Sequence, residues 1–470
     1  MVMAHAHRQL IQSADETPAH VALLIAAFAA GAVAQGGYYT PGRALVTALV
    51  AIGVILALRD HPWSRSDAWP VPAACAALGM WALVRGSVAG AGVAAIAALA
   101  TLACVCAAVV VLRRTTPAAR ERCAEALIAV GVIVAVTAWI GVAWRVPRFA
   151  VLVEHKLWRG ASTLTYPNAT AALLVPLALL AIALLVVRPR SLVRAAAGYL
   201  LLVGVGAALS RAGIIALVVG LGVLAVLAGV RATLGRAAPL VLGAALAVGA
   251  LAPSFPTTAQ PRPLLALAGL VVGGAVAIGL LRLRRRIRVL VLVALAALIA
   301  AAPWTPLVGE QLRTVLASRV NLDSYGRSGA ARSAVDLVAE HPLAGTGIGQ
   351  ARFIWSRPDG NVSIALYAHN EYLQTLVDLG AIGAVLLLGL IASIVMTIRR
   401  GRRYPHRPGI WAGAVAALVA LAVHSGFDFL WHIAVLPLAG GLLIGLAAPA
   451  TSEEPDQSGP SGPHEAKEQE

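Results

Sequence analysis

The sequence predicts an all-α polytopic membrane protein with about 12–14 transmembrane helices and one large outer-face loop carrying short amphipathic helices. Three observations predict it. Of 470 residues, 59% are hydrophobic and only 12% charged, a balance foreign to an ordinary soluble domain. The apolar residues fall in runs of roughly 15 to 25, the length that crosses a bilayer as a helix. Arginines punctuate these runs and gather in alternate loops. On a soluble chain the net charge of +16 would suggest nucleic acid, but here the charge sits between spans, so no nucleic-acid partner is expected.

Taken in order, the spans lie near 20–36, 44–58, 69–84, 88–112, 124–144, 169–187, 195–209, 213–230, 237–252, 264–281, 289–302, 379–398, 410–424 and 430–448. With the N-terminus inside, the arginine-dense segments 113–122, 188–194, 282–288 and 399–407 all face the cytoplasm. The short outer loops then hold only Arg43, Arg85, Arg211 and Arg262. This organisation gives a cytoplasmic N-terminal segment (1–19), a membrane domain (20–448) and a disordered, Glu-, Pro- and Ser-rich cytoplasmic tail (449–470). Val21 to Gly31 followed by Ala32-Val33-Ala34 has some marks of a cleaved signal, but the segment before it is long for an n-region, so an uncleaved first helix is expected. Only Lys156 and Lys467 are lysines; an Ala/Arg-rich coding bias explains most of the arginine, and phosphate recognition by the guanidinium fork is the secondary reading. Cys75, Cys104, Cys106 and Cys123 lie in or beside apolar runs and form no disulfide framework or metal-ligand spacing.

Two outer segments are too long to be connectors, Arg145 to Asn168 and Pro303 to Asp378, and function is expected in them. In the second, Ser328 to Glu340 reads as an amphipathic helix with Ala331, Ala334, Val335 and Val338 on one face, stopped by His341-Pro342. Gly345-Thr346-Gly347-Ile348-Gly349 resembles a phosphate-cradling turn. It follows a helix rather than a strand, so a tightly turning backbone is the better reading. Tyr367 to Gln374 then reads as an interfacial helix with His369 and Leu373 on one face, which puts an imidazole at the membrane surface among Asn, Glu, Tyr and Gln, a general-base candidate. Ser210-Arg211 joins two spans with almost no loop. An arginine so near hydrocarbon on the outer side points to a bound anion such as a diphosphate. Pro167-Asn168 reads as a loop end with Asn168 as the N-cap of the next span. Asn168-Ala169-Thr170 and Asn361-Val362-Ser363 match glycosylation sequons, a pattern too common to weigh. Asp428, in His424-Ser425-Gly426-Phe427-Asp428, is one of few acidic residues near the membrane and is expected to pair with an outer-face arginine, a direct substrate role being the alternative.

This ordered set resembles the O-antigen ligase and polymerase superfamily of bacterial envelope glycosyltransferases, over roughly residues 159–440. The matching pieces are Arg159-Gly160 with Thr165-Tyr166-Pro167-Asn168; Ser210-Arg211; Gly326-Arg327 with His341-Pro342-Leu343 and Gly345-Thr346-Gly347; His369-Asn370-Glu371-Tyr372-Leu373-Gln374 with Gly380; and His424 to Asp428. One departure is Ala331, where members usually carry tryptophan. The resemblance implies a multi-pass protein of the bacterial inner membrane that moves a glycan from undecaprenyl diphosphate to an acceptor on the outer face, without cofactor or metal. It implies Arg211 and Arg327 as diphosphate-engaging catalytic residues and His369 as the base. Arg159, Tyr166, Asn168, Asn370, Tyr372, His424 and Asp428 are the expected substrate-binding residues.

Elementary chemistry agrees with that implication. A diphosphate leaves readily, so the enzyme needs cations for the developing charge and a base for the acceptor proton; paired carboxylates of the glycosidase kind are not needed. A polymerase joining repeat units differs only in the acceptor. A transporter of a lipid-linked or anionic solute would instead carry polar residues at mid-span and broken helices in two related halves. The spans here are almost wholly Ala, Val, Leu, Ile and Gly.

Overall fold

A computed structural model describes residues 17–60, 70–153, 156–305, 308–320, 325–356, 360–403 and 408–450. Most of the expected N-terminal segment, and the tail beyond residue 450, lie outside the described residues. Among these, eleven helices are long and apolar enough to cross a membrane, and three shorter apolar helices bring the set to the runs expected from sequence. In chain order the helices are α1 (Ala19–Val33), α2 (Thr40–Asp60), α3 (Pro70–Val88), α4 (Gly92–Arg113), α5 (Pro117–Ala143), α6 (Pro167–Val187), α7 (Leu192–Ala208), α8 (Arg211–Ala228), α9 (Val230–Leu251), α10 (Pro263–Arg282), α11 (Arg285–Ala301), α12 (Gly309–Val320), α13 (Tyr325–Glu340), α14 (Glu371–Gly401), α15 (Pro408–Ser425) and α16 (Val435–Ala447).

The apolar character of α6 runs all round the helix, which demands burial on every side. Its apolar window is 89% buried, and α5, α7, α8 and α15 pack around it. The N-terminal end of this central helix therefore lies in the middle of the face that bears the two long loops. By contrast the window of α11 is 0% buried, an apolar helix at the periphery whose sides are left for lipid. Small residues let other helices approach closely: Gly243 of α9 meets the backbone of Gly273 of α10, which a Cβ on either residue would strike. On the opposite face, arginines satisfy helix ends. Arg120 donates to the carbonyls of Leu112 (2.9 Å) and Ala448 (2.6 Å), while Arg194 pairs with Glu121 (2.8 Å) and Glu125 (2.6 Å).

Each long loop contains a short antiparallel hairpin that the all-α reading did not foresee: β1 (Ala150–Val153) with β2 (Leu157–Gly160), and β3 (Phe353–Ser356) with β4 (Val362–Ala365). The amphipathic helix α13 is present, with Ala334 and Val338 of the expected face turned inward; Ala330 and Leu337 join them, while Val335 is exposed. The cause is its partner. Strand β3 lays Trp355 across Gly329 and buries Phe353 beside Ala330, so the helix turns that side inward.

The expected interfacial helix and following span are one run, α14, broken at Gly380 (φ 66°, ψ −167°). A break leaves backbone groups without helical partners, and here the 342–347 segment supplies them. Thr346 and Gly347 donate to the carbonyls of Val377 (2.8 Å) and Asp378 (3.0 Å), while Ala381 donates to Pro342 (2.9 Å). Arg85 holds the same turn through the carbonyls of Ala344 (2.7 Å) and Gly345 (2.9 Å). A Cβ at Gly380 would lie 2.3 Å from the carbonyl of Leu343, whereas Gly389 in the same helix faces open space. Gly380→Ala should therefore cost roughly 2–5 kcal/mol from strain and overpacking. The check is the thermal midpoint of the detergent-solubilised protein, which should fall for Gly380→Ala and hold or rise for Gly389→Ala; an unchanged midpoint for Gly380→Ala would refute the interlock.

Candidate active site

Pro167 at the first position starts α6, with Tyr166 as a cap that makes no side-chain capping bond. Asn168 is thus inside the first turn rather than the expected N-cap, and its amide is free to cross the bundle. It donates to Asp428 Oδ2 at 2.6 Å, and the Tyr166 hydroxyl donates to the same oxygen at 2.7 Å. The other carboxylate oxygen takes the backbone N–H of Phe429 (3.0 Å) and faces His369 Nδ1 (3.0 Å). Arg327 Nη2 stands 3.5 Å from Oδ2, so the expected pairing of Asp428 with a loop-face arginine is present. Asp428 is 0% exposed. Burial would raise its pKa, but the His369 hydrogen bond, the Arg327 charge and the Tyr166 hydroxyl together hold it below the ordinary carboxylate value. The same burial and the adjacent carboxylate push the Tyr166 phenol well up, so it remains a donor.

His369 is not on a helix face. It lies two residues before α14 with φ 51°, in the left-handed region. Asn370 is the N-cap, its Oδ1 accepting from the N–H of Tyr372 (3.0 Å) and Leu373 (3.1 Å), and a cap residue ends helical geometry before His369. Gln374 Oε1 accepts the N–H of Ala368 at 2.9 Å and fixes the preceding peptide. The imidazole is packed edge to face on Phe429 (5.2 Å), whose ring stacks between Tyr166 (5.2 Å) and Tyr367 (4.5 Å). An ionised carboxylate only accepts, so Nδ1 carries the proton toward Asp428, and in the neutral imidazole this leaves the ring's lone pair on Nε2. Strain of this kind at a hydrogen-bonded histidine is a common mark of an active site.

Arginines gather beside this pair. Arg159, on β2, donates to the carbonyl of Ala208 (2.9 Å) and to Asn168 Oδ1 (2.8 Å). Its pKa is lowered to about 10, first by burial and then by Arg319, with Arg327 adding to the effect. Arg211 opens α8, after Leu209 in the left-handed region and Ser210, whose hydroxyl accepts the N–H of Gly213 (3.2 Å). Arg319, in the last turn of α12, belongs to the same group: burial and the charge of Arg211 lower its pKa. Sequence reasoning missed Arg319, because no motif surrounds it. Phe429 was missed as well.

The remaining expected residues are placed differently. Tyr372 donates to the carbonyl of Ala422 (2.7 Å) and ties α14 to α15. Both ring nitrogens of His424 are buried and without a hydrogen-bond partner among the described residues, and its charge environment is set by Asp428 and Arg327. The Gly345-Thr346-Gly347 turn does have positive φ at Gly345, Gly347 and Gly349, but the N–H groups of Gly345, Thr346 and Gly347 are already bonded to His341 and to the α14 break. A cavity of about 240 Å³ lined by Glu121, Arg188 and Arg194 sits at the other end of α6, and its charges are already paired.

The first comparison with known proteins is a family match: residues 260–388 match the model of the O-antigen ligase family. That stretch contains Arg319, Arg327 and His369, while Asp428, Asn168, Arg159 and Arg211 reach the site from outside it. No curated protein matches the chain. Over this stretch, which holds the large loop and the start of α14, the chain is similar to the O-antigen ligase family.

Proposed function

We propose that this protein is an inner-membrane glycosyltransferase of the O-antigen ligase type, taking a glycan from undecaprenyl diphosphate to a lipid core, wall component or protein on the outer face. The observation that carries this reading is the pair formed by His369 and buried Asp428 beside a group of arginines. With Nδ1 held by Asp428, Nε2 takes the proton of the acceptor hydroxyl. The acceptor oxygen forms a bond to the anomeric carbon. The bond from that carbon to the diphosphate breaks, and its electron pair leaves with the phosphate. A single displacement of this kind inverts the anomeric centre. Arg211 and Arg327 neutralise the charge that grows on the leaving diphosphate, which lowers the barrier more than it stabilises the bound donor.

Arg159, Tyr166 and Asn168 hold Asp428 and the donor pocket in shape, while Asn370, Tyr372 and His424 border the acceptor. With the arginine-rich face in the cytoplasm, the site opens outward and both termini lie inside.

The test is the undecaprenyl-linked glycan pool in cells lacking the protein. Long, polymerised chains should accumulate on the carrier. Accumulation of single repeat units would replace ligase by polymerase, and an unchanged pool would overturn glycan transfer in favour of transport.

A further inference from the structure

We propose that Arg319, on the loop helix α12, is a third arginine that binds the diphosphate of the donor together with Arg211 and Arg327. This rests on the donor reading above.

Placement comes first. Helix α12 lies against the turn Ala252–Ser254. The next residues of that turn are bonded to β2: the N–H of Trp158 donates to Phe255 at 2.8 Å, and Leu157 bridges to Pro256. The strand that carries Arg159 and the helix that carries Arg319 thus share one support, which brings both guanidinium groups to the end of α8 where Arg211 lies.

Charge comes second. Two structural arginines give the contrast: Arg145 reaches the carbonyls of Ser254, Pro256 and Ala259, and Arg194 reaches two glutamates. Arg319 differs. Among the described residues its one hydrogen bond is to its neighbour Ser318 Oγ, at a long 3.4 Å, and no carboxylate pairs with it. The charges it feels and exerts are those of Arg211 and Arg159, which repel it. A half-buried guanidinium with five donors, one weak bond and cations for neighbours is a costly arrangement unless an anion joins it. Arg159 and Arg319 are close enough for the charge of Arg319 to lower the pKa of Arg159, and such neighbouring cations suit a doubly charged diphosphate, because each planar fork can meet two phosphate oxygens.

The experiment measures binding of inorganic pyrophosphate and of farnesyl diphosphate to the purified full-length protein in detergent. Arg319→Met should weaken binding of both by about 10- to 100-fold, and Arg319→Lys should recover only part of it. Arg313→Met, on the same helix with its guanidinium on the Pro303 carbonyl, should bind as the unaltered protein does. Arg319→Gln, judged against the thermal midpoint, separates lost binding from lost fold. Unaltered affinity in Arg319→Met and Arg319→Gln, with affinity lost in Arg211→Met, overturns the role of Arg319 and leaves the donor reading standing. No binding by the unaltered protein, or none sensitive to Arg211 and Arg327, overturns the donor reading and this inference with it.

Discussion

His369→Asn lowers glycan transfer by about two to four orders of magnitude, the range for removal of a general base, while the protein stays in the membrane at its normal level. Asparagine is the informative replacement because of the backbone. At φ 51° most side chains are strained, and asparagine tolerates this region better than others, so the turn before α14 survives. The capping oxygen of Asn370 and the bond from Ala368 to Gln374 are also untouched. What disappears is the imidazole, and with it the lone pair on Nε2. Transfer would be measured with purified protein and carrier-linked glycan, alongside the membrane level of the variant. His369→Ala should be equally inactive but less stable, since alanine sits poorly at positive φ. Normal transfer in His369→Asn would remove the histidine from the mechanism.

How much of this was legible follows from distance along the chain. The membrane-spanning helices are written locally, as apolar runs closed by arginine or proline, and the observed helices fall on those runs, although Pro117–Ala143, Val230–Leu251 and Glu371–Gly401 begin seven or eight residues earlier than expected. The site is written non-locally. Asp428 meets His369 across 59 residues and Asn168 across 260, and no periodicity connects such positions. Sequence could mark each residue as unusual for its surroundings, an acid or imidazole beside hydrocarbon, without saying that they meet. The local errors have a common origin. Asn168 and Asn370 are both good caps by type, but Pro167 already begins α6, so only Asn370 caps, and that choice displaces His369 from the helix. Arg319 was invisible for the opposite reason: it stands among many loop arginines, and only the fold around residues 252–257 brings it to the others.

Asp428→Asn should reduce transfer nearly as far as His369→Asn does, although Asp428 touches no reacting atom. The carboxylate accepts from Tyr166, Asn168 and Phe429 and orients His369 Nδ1. An amide of the same shape replaces one accepting oxygen with an NH2 group. If that group lies on the His369 side, it donates to Nδ1, the ring proton moves to Nε2, and the lone pair needed for the acceptor proton is gone. If it lies on the other side, it confronts the Tyr166 and Asn168 donors, and the buried amide loses hydrogen bonds at a cost of about 1–3 kcal/mol. Either way Arg327 loses its charged neighbour. A positioning role makes a sharper demand than loss of activity alone. Because both residues act through one imidazole, the double variant His369→Asn/Asp428→Asn should be scarcely worse than either single variant, and a variant lacking only Asp428 should still bind pyrophosphate through its arginines. Multiplied losses in the double variant would mean that Asp428 works independently of His369, and the pair would have to be abandoned as the catalytic unit.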